Sequence, residues 1–197
     1  MWQTPIKGGF AVRKFMLLFT SSMNELKNVT AISVAGMLVA IGVVLSFVKI
    51  VLSPVLEISF SFLPLAAGGL LYGPVVGGVM GILTDVLGYF VRPNGPFFPG
   101  FTLNALISGV LYGLFLYKKP VTWTRVIIVS ALIAVFINLG LTSLWLSMMY
   151  GKAFIVLVSA RIIKNIVMFP INTALLMVLL KFIEGFRVRG HAGAQGS

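Results

Sequence analysis

Long stretches of the chain carry no charge. No Asp, Glu, Lys or Arg falls between Lys27 and Lys49, from Ile58 to Thr84, from Pro93 to Tyr117, or from Val126 to Gly151. Each run is at least as long as the ~20 residues a helix needs to cross a bilayer. The runs are continuously apolar, whereas strands of a membrane barrel alternate apolar and polar residues in pieces of ~10. The pattern therefore predicts an all-α membrane protein, with spans at about 29–50, 98–117, 122–150 and 153–182. The stretch from Ile58 to Val91 is punctuated by Pro64, Gly68-Gly69, Gly73-Pro74 and Gly77-Gly78. The residue before a proline is pushed out of the helical region, so Tyr72-Gly73-Pro74 predicts a tight turn between two short helices, 58–71 and 74–89. The segment 51–60, with Ser53, Pro54 and Glu57, reads as a loop or cap.

Charge placement sets the count and the orientation. Six spans put Lys7, Arg13, Lys14, Lys27, Lys118, Lys119, Arg125, Lys181, Arg187 and Arg189 on one side. The other side keeps Lys49, Arg92 and Lys152, with Arg161 and Lys164 nearest to it. Basic residues accumulate on the cytoplasmic side, so both termini are expected there. Five spans would divide the basic clusters between the two sides. The expected organisation is a six-helix membrane domain at 29–184, a cytoplasmic extension at 1–28 and a flexible cytoplasmic tail at 185–197. Residues 1–27 contain no long apolar stretch of the signal-peptide kind, so the first span is expected to direct insertion into the cell membrane.

Composition agrees. Of 197 residues 59% are hydrophobic and only 10% are Asp, Glu, Lys or Arg, against about 25% charged in soluble domains. A net charge of +11 would suggest nucleic acid in a soluble protein. Here topology accounts for it, and no basic stripe interleaved with aromatics is present. The chain has no cysteine, which excludes disulfides and thiolate metal sites. No phosphate-cradling glycine loop occurs, and the single His191 lies in the tail. Four scattered acids give no paired-carboxylate site, so neither enzyme activity nor a metal or cofactor is expected. Asn28-Val29-Thr30 matches a glycosylation acceptor by chance, on a side where none is added.

Polar groups inside a membrane are costly and mark functional positions. Arg161, Lys164, Asn165, Met168 and Asn172 fall within about 100° of one helix face. Two cations and two amides there suit an anionic ligand; snorkelling of Arg161 and Lys164 to headgroups is the plainer alternative. The preceding span carries a similar stripe of Asn138, Thr142, Trp145 and Met149, fitted to ligand contact or to helix–helix hydrogen bonding. The loop from Arg92 to Asn104 is stiffened by Pro93, Pro96 and Pro99, and Phe98 and Phe101 offer a wall for a flat ring or an interfacial belt. Asp85 can accept a pair of N–H bonds from an amino-pyrimidinone edge, or pair with Arg92 or Arg161. Glu57, Phe60 and Phe62 are weaker candidates for a lid. Ala31/Ala35 and Gly36/Ala40 form two small-residue pairs on different faces of the first span, each able to admit a partner helix.

Two segments carry a resemblance: Phe97-Phe98-Pro99-Gly100-Phe101-Thr102 with Asn104-Ala105, and Arg161 to Thr173. Together they resemble the substrate-binding (S) component of energy-coupling factor (ECF) vitamin transporters, nearest to the folate-specific branch. The likeness covers about Asn28 to Glu184. It implies capture of a vitamin, folate, near the outer face, by Asp85, Arg92, Phe98, Phe101, Asn104, Asn138, Trp145, Arg161, Lys164 and Asn165. It also implies docking of the first span, through Ala31/Ala35 or Gly36/Ala40, onto a transmembrane scaffold protein with two ABC ATPases that hydrolyse the ATP. Alternatives are an S component for a riboflavin-, thiamin- or biotin-type vitamin, or a stand-alone secondary transporter.

Overall fold

The computed structural model describes residues 7–51, 57–91, 93, 96–151 and 154–193. The chain forms α1 (Lys7–Glu25), α2 (Val29–Phe47), a β1–β2 hairpin (Lys49–Val51 and Glu57–Ser59), α3 (Phe62–Val91), α4 (Pro99–Leu116), α5 (Trp123–Tyr150) and α6 (Phe154–Gly193). Five of these, α2 to α6, are long and apolar enough to cross a membrane. Large apolar side chains such as Met37, Phe90, Ile163 and Val178 point outward, the surface expected of a multi-pass protein whose solvent is lipid.

The turn predicted at Gly73 is present. Gly73 has φ 88° and ψ −170° within α3, a conformation open to glycine and strained for other residues. Residues 62–72 and 74–91 then run side by side. A Cβ on Gly77 would lie 3.4 Å from the Cα of Gly69, although eight residues of straight helix span about 12 Å. Pro74 opens the second half, where its missing N–H costs nothing.

Glycines decide how this hairpin meets α4. A Cβ on Gly77 would sit 2.5 Å from the carbonyl oxygen of Gly109, and one on Gly69 would sit 2.9 Å from the amide nitrogen of Gly113. One on Gly81 would collide with the carbonyl of Ala105. The two backbones therefore touch along Gly73, Gly77 and Gly81 on one side and Ala105, Gly109 and Gly113 on the other. Such small-residue seams are how membrane helices gain close van der Waals contact without a hydrophobic driving force. The sequence reading placed weight on the small residues of the first span and passed over this seam.

Three boundaries differ from expectation. The first span stops at Phe47, because Lys49, Ile50 and Val51 pair with Ser59, Ile58 and Glu57 in an antiparallel ladder. The second starts at Phe62 for the same reason. Within the extension at 1–28, Lys7–Glu25 is helical. The last helix continues through Gly185 to Gly193, into the part expected to be a flexible tail. One interior glycine costs only about 1 kcal/mol against alanine, too little to end a 40-residue helix. Asn28 caps α2, its Oδ1 accepting from the Thr30 N–H at 3.0 Å.

α1 is bolted to the hairpin turn by one buried serine. Ser22 Oγ donates to the Tyr72 carbonyl at 2.7 Å and accepts from the N–H groups of Val75 (3.0 Å) and Val76 (3.3 Å). It thus caps the second half of α3 from another helix. Ser22→Ala is expected to cost about 1–2 kcal/mol by leaving those donors unsatisfied. A lowered unfolding temperature with unchanged helix content, by circular dichroism in detergent, is the check.

Candidate functional site

The bundle has two ends. One carries the β-hairpin, Phe97 and Phe98, and the start of α6; the other carries α1, the Gly73 turn and residues 117–122. A cavity of about 660 Å³ runs inward from the hairpin end, within the 300–1,000 Å³ typical of small-molecule sites.

Its mouth is aromatic. Tyr89, Phe97, Phe98, Phe101 and Tyr150 line it, with Tyr89 and Phe97 packed edge to face at 5.1 Å and Phe98 against Phe101 at 6.1 Å. Pro99 starts α4 directly behind Phe98, which fixes where this wall stands. Gly100 has no side chain, and a Cβ there would lie 2.6 Å from the Trp145 indole. The indole therefore packs against Phe98, at 5.6 Å between centroids.

Polar groups follow below the mouth. Asp85 lines the cavity and accepts from Thr102 Oγ1 at 2.7 Å through one oxygen. Arg161, Lys164, Asn165, Met168 and Asn172 all line it from α6. The stripe extends about 16 Å along the helix at 1.5 Å per residue, the scale of an elongated ligand. At its deep end Asn172 Oδ1 is buried without a hydrogen-bond partner. Buried polar atoms are seldom left so, and a ligand donor would satisfy it. Ser108 and Tyr112 of α4 complete the floor.

α5 contributes through a wide turn. Residues Ile133–Leu141 form a π-helical stretch, a form that recurs at functional sites. Thr142 donates through both its N–H and its Oγ1 to the Ile137 carbonyl, the latter at 2.8 Å. Asn138 lines the cavity, and its carbonyl accepts from Arg161 Nη1 at 3.4 Å, which leans the guanidinium on α5.

The sequence-predicted residues divide accordingly. Asp85, Phe98, Phe101, Asn138, Arg161, Lys164 and Asn165 come together around the cavity. Asn104 and Trp145 do not line it. Asn104 is buried, donating to Thr142 Oγ1 at 3.0 Å and accepting from Trp145 Nε1 at 3.1 Å. These two residues therefore join α4 to α5 behind the aromatic wall. Arg92 lies outside the described residues, as does the side chain of Glu57. Phe62 lines the cavity; Phe60 is half-buried. The sequence reading missed Tyr89, Ser108 and Tyr112. Tyr89 follows Asp85 by four residues, and Phe101, Ala105, Ser108 and Tyr112 repeat at 4, 3 and 4. Both are one-face spacings that would have revealed them.

The small residues of α2 also divide. Ala31 and Ala35 are buried inside the chain's own bundle. Gly36 and Ala40 are exposed, and a Cβ on Gly36 would meet nothing within 4 Å.

The family model for the "ECF transporter, substrate-specific component" matches residues 30–180, all but the first residue of α2, the whole of α3 to α5 and most of α6. The chain belongs to the substrate-specific components of ECF transporters. This S component is 33% identical over 163 residues to a folate transporter, FolT, of Clostridium novyi (strain NT), covering 83% of the present chain and 95% of that relative. It is 37% identical over 151 residues to a folate transporter, FolT, of Leuconostoc mesenteroides subsp. mesenteroides, covering 74% and 81%. A crystal structure of FolT bound with folic acid superposes with a TM-score of 0.72 at 39% identity, covering 78% of this chain and 94% of that one.

Proposed function

We propose that this S component captures folate at the outer face of the cell membrane and delivers it to an ATP-driven importer. The observation that carries the reading is the cavity itself, an aromatic mouth above a stripe of two cations and two amides. Folate has a flat pteridine with N–H donors and a glutamate tail with carboxylates. The ring suits the wall of Phe98, Phe101, Phe97 and Tyr89, with Asp85 accepting from its amino-pyrimidinone edge. The carboxylates suit Arg161 and Lys164, inside a site where water no longer screens the attraction. The folate relatives and the folic acid complex support the same ligand.

The topology that goes with this reading has six membrane segments, because α3 doubles back at Gly73. The hairpin end then faces outward, and the basic α1 end with both termini faces the cytoplasm. Docking onto a transmembrane scaffold with two ABC ATPases uses the Gly36/Ala40 face of α2, since Ala31 and Ala35 are already occupied within the chain. ATP hydrolysis belongs to those partners, and the chain itself is not an enzyme.

Two experiments test the two halves. Quenching of tryptophan fluorescence should report binding of folic acid, weaker binding of p-aminobenzoyl-glutamate, and weaker binding still once the glutamate is removed. Equal affinity with and without the glutamate would remove Arg161 and Lys164 from the reading. For docking, the double variant Gly36→Leu/Ala40→Leu should bind folate as the parent does but lose co-purification of the ATPase subunits from its native membrane. Retained co-purification would place docking elsewhere.

A further inference from the structure

α1 is the element for which folate capture has no use. It lies outside the residues matched to the family and is not among the helices apolar enough to span. Its inward face is anchored: Ser22 caps the hairpin turn, Ser21 Oγ lies 3.2 Å from the Tyr117 hydroxyl, and that hydroxyl donates to Glu25 Oε1 at 3.2 Å. Part of its described surface is open. Met16, Leu17 and Met23 are each 57% or more exposed.

The open residues are ordered around the helix. At 100° per residue, Thr20 falls nearly opposite Ser22. Met16 and Met23 fall about 120° and 100° from Ser22, on one flank between that pole and the bundle, whereas Leu17 falls on the other side of the pole. A helix beneath a membrane bundle has this order when it lies in the plane of the interface, with the bundle above, water below and lipid beside its flank.

Charge identifies the lipid. Lys27 and Lys181 are exposed at this end, Lys118 is exposed with its ammonium on Ser21 Oγ and over the Tyr117 ring, and the helix also carries Lys7, Arg13 and Lys14 in its sequence. The two acids at this end are engaged internally, Glu25 by Tyr117 and Glu184 by the Val121 N–H at 2.9 Å. They are outnumbered by Lys27, Lys118, Lys119, Arg125 and Lys181 at the same end, so its charge stays positive. We infer that α1 is an interfacial helix that sinks Met16 and Met23 into the leaflet and binds anionic phospholipid headgroups through the basic residues of α1 and the Lys27 that follows it. Polybasic segments are drawn to anionic leaflets in this way. The inference rests on the membrane topology above but not on the identity of the vitamin.

The chain has no cysteine, so single-cysteine variants label cleanly. The full-length chain carrying Met23→Cys or Thr20→Cys is labelled with an environment-sensitive fluorophore in nanodiscs. The Met23 label is expected to be quenched roughly three-fold more by quenchers on lipid acyl chains than by aqueous iodide, and the Thr20 label the reverse. Replacing part of the phosphatidylcholine with phosphatidylglycerol should deepen the Met23 label. Lys7→Gln/Arg13→Gln/Lys14→Gln/Lys27→Gln should abolish that dependence while folate binding stays unchanged. Equal iodide quenching at both sites would overturn the inference. Indifference to phosphatidylglycerol would overturn headgroup binding. Protection of both labels only when the scaffold co-purifies would assign the face to a protein instead.

Discussion

Arg161→Ala is expected to weaken folate binding by about 2–5 kcal/mol, some thirty-fold to several-thousand-fold at about 1.4 kcal/mol per factor of ten. The magnitude follows from where the guanidinium sits. Arg161 is half-buried, lines the cavity and is held against α5 by the Asn138 carbonyl. A carboxylate entering that pocket gives up water, and only a fork of N–H donors replaces it well. Truncation leaves the ligand's charge desolvated and poorly paired, which is why loss of one member of a buried pair exceeds the net worth of the pair. Arg161→Lys should fall between the two, since an ammonium keeps the charge but loses the planar fork. The affected step is dissociation, so the off-rate should rise while the on-rate changes little. Titration calorimetry on the purified variants provides the check. Unchanged affinity in Arg161→Ala removes this residue from the site.

The second large effect is structural. Gly109→Leu should destabilise the bundle by about 4 kcal/mol or more, beyond the 1–3 kcal/mol of ordinary overpacking. The reason is the identity of the neighbour. A Cβ on Gly109 runs into the carbonyl of Gly77, which belongs to backbone and has no rotamer to change. Relief requires α3 and α4 to separate, and that opens the seam from Gly73 to Gly81 at once. Folded proteins hold only about 5–15 kcal/mol in reserve, so the variant should aggregate or lose folate binding together with its cooperative unfolding transition. Gly36→Leu is the matched control. It adds the same side chain to a membrane helix at a position with open space, and its stability should be close to that of the parent. Equal stability of the two variants would show that the α3–α4 seam is not what holds the bundle.

Much of this was legible in the sequence, for physical reasons that differ from element to element. The spans were legible because an uncharged run of this length has few other uses. The Gly73 turn was legible because proline restricts the residue before it. The stripe on α6 was the clearest site signal, because polar side chains at 3–4 spacing in an apolar helix must face something polar. Other features depend on partners that are distant in sequence. The β-hairpin is three residues per strand, too short to show a period. The glycine seam needs both helices in view before either set of glycines has meaning. Asn104 entered the site only through the family resemblance, and a buried amide is costly without partners. It meets that cost inside the protein, through Thr142 and Trp145. The choice between Ala31/Ala35 and Gly36/Ala40 could not be made from one helix, since both are small-residue pairs. Burial within the bundle separates them.

The central claim is that this chain alone is a folate receptor, and it is tested most directly by calorimetric titration of the detergent-purified protein with folic acid, using riboflavin and thiamin as controls. Tight one-to-one binding of folic acid, with no heat from either control, is the predicted result. A folded protein that ignores folic acid, or that binds riboflavin or thiamin in its place, would contradict it.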